Sequence, residues 1–397
     1  MKFLYIDIGS TYFKILKNNE SIQIKRDQNA DIYDNLMYHI GDFIAEYMSE
    51  NIYISSSANR GLNALIFGMS NSFSLSYSSA VAYNSGINVV ETILFNEGYL
   101  NKHTSDLFDI VLIVGAIDGV SNNIGKKEVD YIKKLKCSHV VYAGSEHNTS
   151  FVRDNLDDVI FVKNILNNKL KLKDKELSDV LIKLYTNDIV GKSFIKKIKK
   201  ITSNDIFPTP YVVNQALEGL HIDNNKVASP FLLIDIGGAT TDVHYSTDLV
   251  KKNYTYSGFD RLVFKKLGVH TSKKSLIFSA KQNEYMYELL LHLNITEEIF
   301  NDNNNVNQLM QLALYLVLYE VSFLNDTCQI LSLDKLNEIV ITGGCVKILN
   351  YNEIDEIIKF FYITVLRLDK YPRIVIDKQY LTWANGINKL IKDGQYE

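Results

Sequence analysis

Runs of Ile, Leu and Val that end in a glycine turn punctuate the chain at four places: LYIDIGS at 4–10, VLIVGAIDG at 111–119, LLIDIGGATTD at 232–242 and VITGG at 340–344. Each reads as a buried strand closed by a tight loop. Alternating apolar and polar residues over Tyr12–Leu16 and Ser21–Arg26 predict antiparallel strands wet on one face, and Val243–Tyr245 and Tyr254–Ser257 read the same way. Residues 106–166 change rhythm to strand, helix, strand, helix, strand, which predicts parallel βαβ units. The most apolar stretch, Leu309–Leu324, is interrupted by Gln311 and Glu320 and is shorter than the roughly 20 residues of a membrane span, so it predicts a buried helix. In the lysine-rich stretch 167–204, Ile195, Ile198 and Ile201 recur at helical spacing among Lys192, Lys196, Lys197, Lys199 and Lys200, as on a solvated helix.

The first and third runs repeat one another. LYIDIGST at 4–11 and LLIDIGGATT at 232–241 put Asp7 and Asp235 at equivalent points, and four identical residues followed by small hydroxyl residues imply a duplicated domain. Pro208 and Pro210 and the polar stretch Asn224–Pro230 place the division between residues 204 and 230. The expected domains are 1–220, carrying the βαβ segment, and 221–397, with the last helix, Leu381–Ile391, packing back across both lobes.

Charge narrows the choice of partners. Lys plus Arg is 42 and Asp plus Glu 46, a formal net charge of −4, so no general field draws the chain to nucleic acid or anionic lipid. Nucleic-acid and membrane partners are not expected, and the pattern does not address oligomeric state. Cys137, Cys328 and Cys345 lie far apart without ligand spacing, as free thiols in a reducing compartment would. The N-terminus reaches Asp7 too early for the apolar core of a signal peptide, and a cytoplasmic location is expected.

An aspartate at the end of a buried strand, followed by Gly and Ser/Thr, suits a metal-bound phosphate: the carboxylate faces the hydrated ion while backbone N–H groups and hydroxyls meet phosphate oxygens. The order strand-Asp-x-Gly-Ser/Thr, strand-Asp-x-Gly-Gly-x-Thr-Thr, strand-Thr-Gly-Gly resembles the phosphate 1, phosphate 2 and adenosine motifs of the actin, sugar kinase and heat-shock ATPase superfamily. Within it, LLIDIGGATTDVH is similar to the phosphate 2 signature of the glutamate mutase L family, the MutL/GlmL-type proteins encoded beside adenosylcobalamin-dependent mutases. Residues 7–14, 55–62, 109–119 and 141–144, and Asp377, Tyr380, Ala384 and Gly386, resemble further segments of that family in order. The segment Ser257–Leu262 departs from it by lacking an acid before Gly258.

The resemblance implies an α/β fold of two related ribonuclease H-like (actin-like ATPase) domains with a nucleotide cleft between them, and ATP with Mg2+ as cofactors. Carried onto this sequence, Asp7 and Asp235 would hold Mg2+ through water, and Asp235 or Asp242 would orient the attacking water. Gly9, Ser10, Thr11, Gly237, Gly238, Thr240 and Thr241 would contact phosphates, and Gly343 and Gly344 would pack against adenosine. Lys14 reads either as a phosphate contact or as a strand lysine on a wet face. His244 reads as a packing residue, Asp118 as a turn former or a ligand-facing acid. The function implied is an ATP-hydrolysing, chaperone-like reactivating factor for an adenosylcobalamin-dependent glutamate mutase or related aminomutase, with the mutase subunits as partner. A small-molecule kinase, an actin-like filament protein and a scaffold that binds nucleotide without turnover are the alternatives.

Overall fold

The computed structural model describes the chain except residues 1–2, 10, 19, 28, 58–61, 96–102, 104–105, 116, 119–123, 168, 170–171, 192, 251–257, 302–304, 324–329 and 395–397. The expected strand Tyr254–Ser257, the site residue Ser10, Cys328 and part of the 55–62 loop lie outside the described residues. Two compact units result, one of Met1–Ala216 and Thr382–Glu397, the other of Leu217–Asn253 and Ser257–Leu381.

The first unit runs through β1 (Leu4–Ile8), β2 (Tyr12–Lys17), β3 (Glu20–Lys25), β4 (Ile52–Ser56), β5 (Asn63–Gly68), β6 (Asn88–Leu94), β7 (Leu107–Ile113), β8 (Lys136–Tyr142), β9 (Val159–Phe161) and β10 (Ile206–Pro208). These make two sheets. One has the order β10-β4-β1-β2-β3, with β1 antiparallel to β2 and parallel to β4. All five residues of β1 are buried, as in a strand covered on both faces, whereas β2 alternates exposed Tyr12, buried Phe13, half-buried Lys14 and buried Ile15. The other sheet, β6-β5-β7-β8-β9, is wholly parallel. The βαβ rhythm expected over 106–166 is its second half, with helices Lys126–Ile132 and Thr149–Asn155 between the strands. The sheet begins earlier, because β5 carries only the short apolar run Ala64–Phe67, which periodicity cannot tell from a helix segment.

The lysine-rich stretch forms helices Lys175–Gly191 and Ser193–Ile198, and it is a charged surface as expected. Lys197 lies 3.3 Å from Asp31 and Lys199 3.1 Å from Asp205, while Ile198 is fully buried beneath.

The second unit holds the two-stranded β11 (His221–Ile222) and β12 (Asn225–Lys226), then β13 (Phe231–Ile236), β14 (Thr241–Ser246), β15 (Phe259–Phe264), β16 (Glu338–Gly343) and β17 (Arg373–Ile376). Its main sheet is ordered β15-β14-β13-β16-β17, with β13 antiparallel to β14 and parallel to β16. Position for position and direction for direction this is the arrangement of β3-β2-β1-β4-β10, so the sequence repeat is a duplicated ribonuclease H-like sheet. The helix Val306–Ser322 is buried nearly all round and lies in the core with Leu312, Leu316 and Val317 fully or almost fully buried. Its Glu320 meets Lys266 at 3.0 Å through Oε1, an ion pair that offsets the cost of an acid in the buried helix expected there.

Candidate functional site

In the first hairpin the register places Asp7 of β1 opposite Lys14 of β2 and Ser55 of β4. Asp7 is fully buried. Its Oδ1 accepts hydrogen bonds from Ser55 Oγ at 2.9 Å and from Thr209 Oγ1. Its Oδ2 accepts no hydrogen bond from a described residue and has the Lys14 ammonium at 3.1 Å. Lys14 is therefore an ion-pair partner of Asp7 rather than a lysine on a wet face. The turn itself is fixed by Gly9, whose N–H donates to Tyr12 O at 2.9 Å, and a Cβ at Gly9 would come within 2.8 Å of that oxygen. Arg26, just past β3, donates from Nη1 to Gly9 O at 2.6 Å and from its backbone N–H to Thr11 O at 2.9 Å. Its guanidinium is buried, which lowers its pKa from the ordinary arginine value.

The second hairpin repeats this bond: Gly237 N–H donates to Thr240 O at 2.8 Å. Asp235 and Asp242 stand directly opposite across β13 and β14 and share a face, whereas Thr241, one residue off, lies on the other. Thr241 is fully buried and its hydroxyl donates to Leu267 O at 2.8 Å, so it braces the hairpin from behind. The same brace continues in His270 N–H and Thr271 N–H, each donating to Gly238 O at 2.8 Å. Gly237, Gly238 and Thr240 remain half-exposed at the tip.

Each acid of this face has a partner of different chemistry. Tyr380 Oη donates to Asp235 Oδ2 at 2.5 Å, and Arg261 Nη2 donates to Asp242 Oδ1 at 2.6 Å. Arg261 comes from the segment that departs from the family pattern, and its residues 259–262 lie in β15. His244 pairs in register with Arg261, is almost wholly buried, and its Nδ1 has no hydrogen-bond partner among the described residues. Burial, then the charge of Arg261, push its pKa well below 6.5, so it packs as a neutral ring, as expected.

Gly343, at the end of β16, has φ +70°, and a Cβ there would overlap the Asp235 carboxylate. At Gly344 a Cβ would lie 2.9 Å from Ile236 O. The Gly-Gly turn is thus demanded by contacts inside the unit, which suffice to explain both glycines. Cys345 follows them, buried, its thiol pKa raised by burial and by the charge of Asp235. Asp118 accepts from Asn164 Nδ2 at 3.0 Å and is tied into a turn of the first unit.

The structure brings the predicted residues together as two groups, Asp7, Gly9, Thr11 and Lys14 in one hairpin, and Asp235, Gly237, Gly238, Thr240 and Asp242 in the other with Gly343 and Gly344 at the end of the neighbouring β16. Arg26, Arg261 and Tyr380 join them, and the sequence reading gave none of the three a role. Among the described residues no group of three or more His, Cys, Asp or Glu side chains is arranged to hold a metal ion alone. Magnesium keeps several waters and is held by one or two carboxylates; Asp7 Oδ2 in the first unit, with the Lys14 ammonium at 3.1 Å, and the Asp235 carboxylate in the second are each, taken singly, donors of that type.

Comparison with solved structures finds matches spanning nearly the whole chain at low similarity. An inorganic polyphosphate/ATP-glucomannokinase from Arthrobacter sp. strain KM matches at 11% identity and TM-score 0.31, over 98% of this chain and 99% of its own. The activator of the 2-hydroxyisocaproyl-CoA dehydratase from Clostridium difficile, with bound ADPNP, matches at 11% identity and TM-score 0.31, over 100% of this chain and 98% of its own. At such scores neither bears on what this chain does. The curated Protein MutL of Clostridium tetanomorphum is 24% identical over an alignment of 275 residues that covers 62% of this chain and 58% of that protein, so the match spans under two thirds of the relative's length. The family model described as MutL protein matches residues 3–313, a range that takes in both acidic hairpins, and the chain belongs to that family.

Proposed function

We propose that this chain binds ATP with Mg2+ through its two acidic hairpins, hydrolyses it, and uses the cycle to reactivate an adenosylcobalamin-dependent glutamate mutase or related aminomutase. The observation that carries the nucleotide part is the repeated hairpin. The same Gly N–H to carbonyl bond closes both turns, and both place an aspartate at the end of the central strand. The mutase part rests on family membership.

In this reading Asp7 and Asp235 hold the hydrated ion, which when bound offsets phosphate charge. Thr11 and Thr240 present hydroxyls and Gly238 a backbone N–H to phosphate oxygens, Gly237 shapes the turn that aims them, and Ser10 is a further phosphate contact. Asp242, turned to the same face as Asp235 and steadied by Arg261, orients the attacking water. Lys14 offsets the charge of Asp7, and Arg26 holds the Gly9 turn. No covalent nucleophile is needed, because phosphoryl transfer rests on positioning and electrostatics. A differential affinity of two conformations for ATP and ADP would then grip and release the mutase.

The test is ATP turnover of the purified protein, with and without mutase whose cobalamin has been inactivated, beside Asp235→Asn. Turnover that the mutase stimulates, with activity restored to the mutase and both effects lost in the variant, supports the reading. Equal turnover in the variant refutes the site, and hydrolysis that appears only with a small-molecule acceptor transfers the protein to the kinases.

A further inference from the structure

A chain of contacts in the second unit ends on the Asp235 carboxylate. One step past β17, Asp377 N–H donates to Ile341 O at 2.9 Å, and the side chain of Asp377, 5% exposed, accepts twice: at Oδ2 from Thr342 Oγ1 at 3.1 Å and at Oδ1 from Tyr380 N–H at 2.9 Å. These bonds close a turn in which Tyr380 takes φ +52°, a left-handed conformation uncommon for a non-glycine residue. The conformation brings the ring, 5% exposed, against Asp235, where Oη donates to Oδ2 at 2.5 Å. Across the carboxylate, the missing side chain of Gly343 makes room for Oδ1. One oxygen is thus seated by a glycine backbone and the other by a phenol.

The two hairpins differ at this point. Beside Asp7 stands an ammonium, which offsets the acid's charge. Beside Asp235 stands a neutral donor, which fixes the direction of the carboxylate and leaves its charge in place. A group that must bind a hydrated cation gains from being oriented beforehand, since it then loses little freedom on binding.

We infer that Tyr380 is a positioning residue for Asp235, and that Asp377 and Thr342 hold it in place for that task. The inference rests on the magnesium–nucleotide reading above and deepens it. Tyr380→Phe keeps the ring and removes only the donor. The wild type, Tyr380→Phe and Asp235→Asn are titrated with ATP by isothermal calorimetry, once with Mg2+ and once with EDTA, and the melting temperature of each nucleotide-free protein is recorded. Loss of one hydrogen bond to a charged acceptor should weaken binding about tenfold or more with Mg2+. With EDTA, Tyr380→Phe should bind like the wild type. A merely structural tyrosine would lower the melting temperature and weaken both titrations alike, and that result overturns the inference, as does unchanged affinity in Mg2+. If Asp235→Asn loses its response to Mg2+ and Tyr380→Phe does not, the positioning role alone falls. If Asp235→Asn keeps the wild-type response, the magnesium site falls and takes the role of Tyr380 with it.

Discussion

Gly343→Ala puts the packing around Asp235 to a direct test. The backbone at Gly343 has φ +70°, where an L side chain costs about 1–2 kcal/mol. The new Cβ would also overlap the Asp235 carboxylate, so Asp235 must swing away or β16 must shift. Swinging away breaks the bond from Tyr380, and a hydrogen bond to a charged group is worth about 1.5–3 kcal/mol. Together these predict a loss of about 2.5–5 kcal/mol, a large part of the roughly 5–15 kcal/mol typical of a domain. Gly219→Ala separates the two terms, since Gly219 has φ +71° in the same unit but a Cβ added there would meet nothing within 4 Å. It should lose only the backbone part. Urea unfolding followed by circular dichroism measures both. Equal losses would show that no overlap with Asp235 exists, and a Gly343→Ala protein as stable as the wild type would refute the geometry altogether.

Other substitutions probe the remaining elements. His244 has its pKa depressed in the folded protein, so below pH 6.5 the unfolded chain takes up a proton that the folded one refuses, and stability is lost as the pH is lowered. The wild type should lose about 1.4 kcal/mol more per pH unit below 6.5 than His244→Leu until the folded pKa is reached, and parallel curves in urea unfolding from pH 7.5 to 5 would sink the assignment. Arg261→Leu leaves Asp242 without its partner and facing Asp235. Because the Asp242 side chain is 23% exposed, the roughly 3–5 kcal/mol typical of a broken buried pair shrinks to about 1–3 kcal/mol, and adding Asp242→Asn should recover most of it. Leu316→Ala, in the centre of the apolar helix, should cost about 2–5 kcal/mol with ATP affinity unchanged in the protein that remains folded.

How far the sequence could be read followed from which contacts are local. The IDIG runs were legible because strand, turn and acid lie close together along the chain, and the same local chemistry closes both turns with a Gly N–H to carbonyl bond. The parallel strands β7–β9 showed through their alternation with helices, whereas β5 was hidden in a run too short to have a period. Arg26, Arg261 and Tyr380 were missed for a different reason. Each acts on a residue that strand pairing or a distant turn brings near, 145 positions away for Tyr380 and Asp235, and no spacing rule records such a meeting.

Register also exposes an asymmetry that the repeat conceals. Asp7 pairs with Lys14 and Asp235 with Asp242, so the position facing the acid carries opposite charge in the two copies. The first hairpin has an opposing charge within its own two strands, and its acid can be fully buried. In the second, two carboxylates face one another across the strands. Arg261 from the third strand meets one of them and Tyr380 from beyond the fifth meets the other. Arg261, three residues after the Gly258 that lacks the family's preceding acid, supplies the cation that meets one of the two carboxylates on this face.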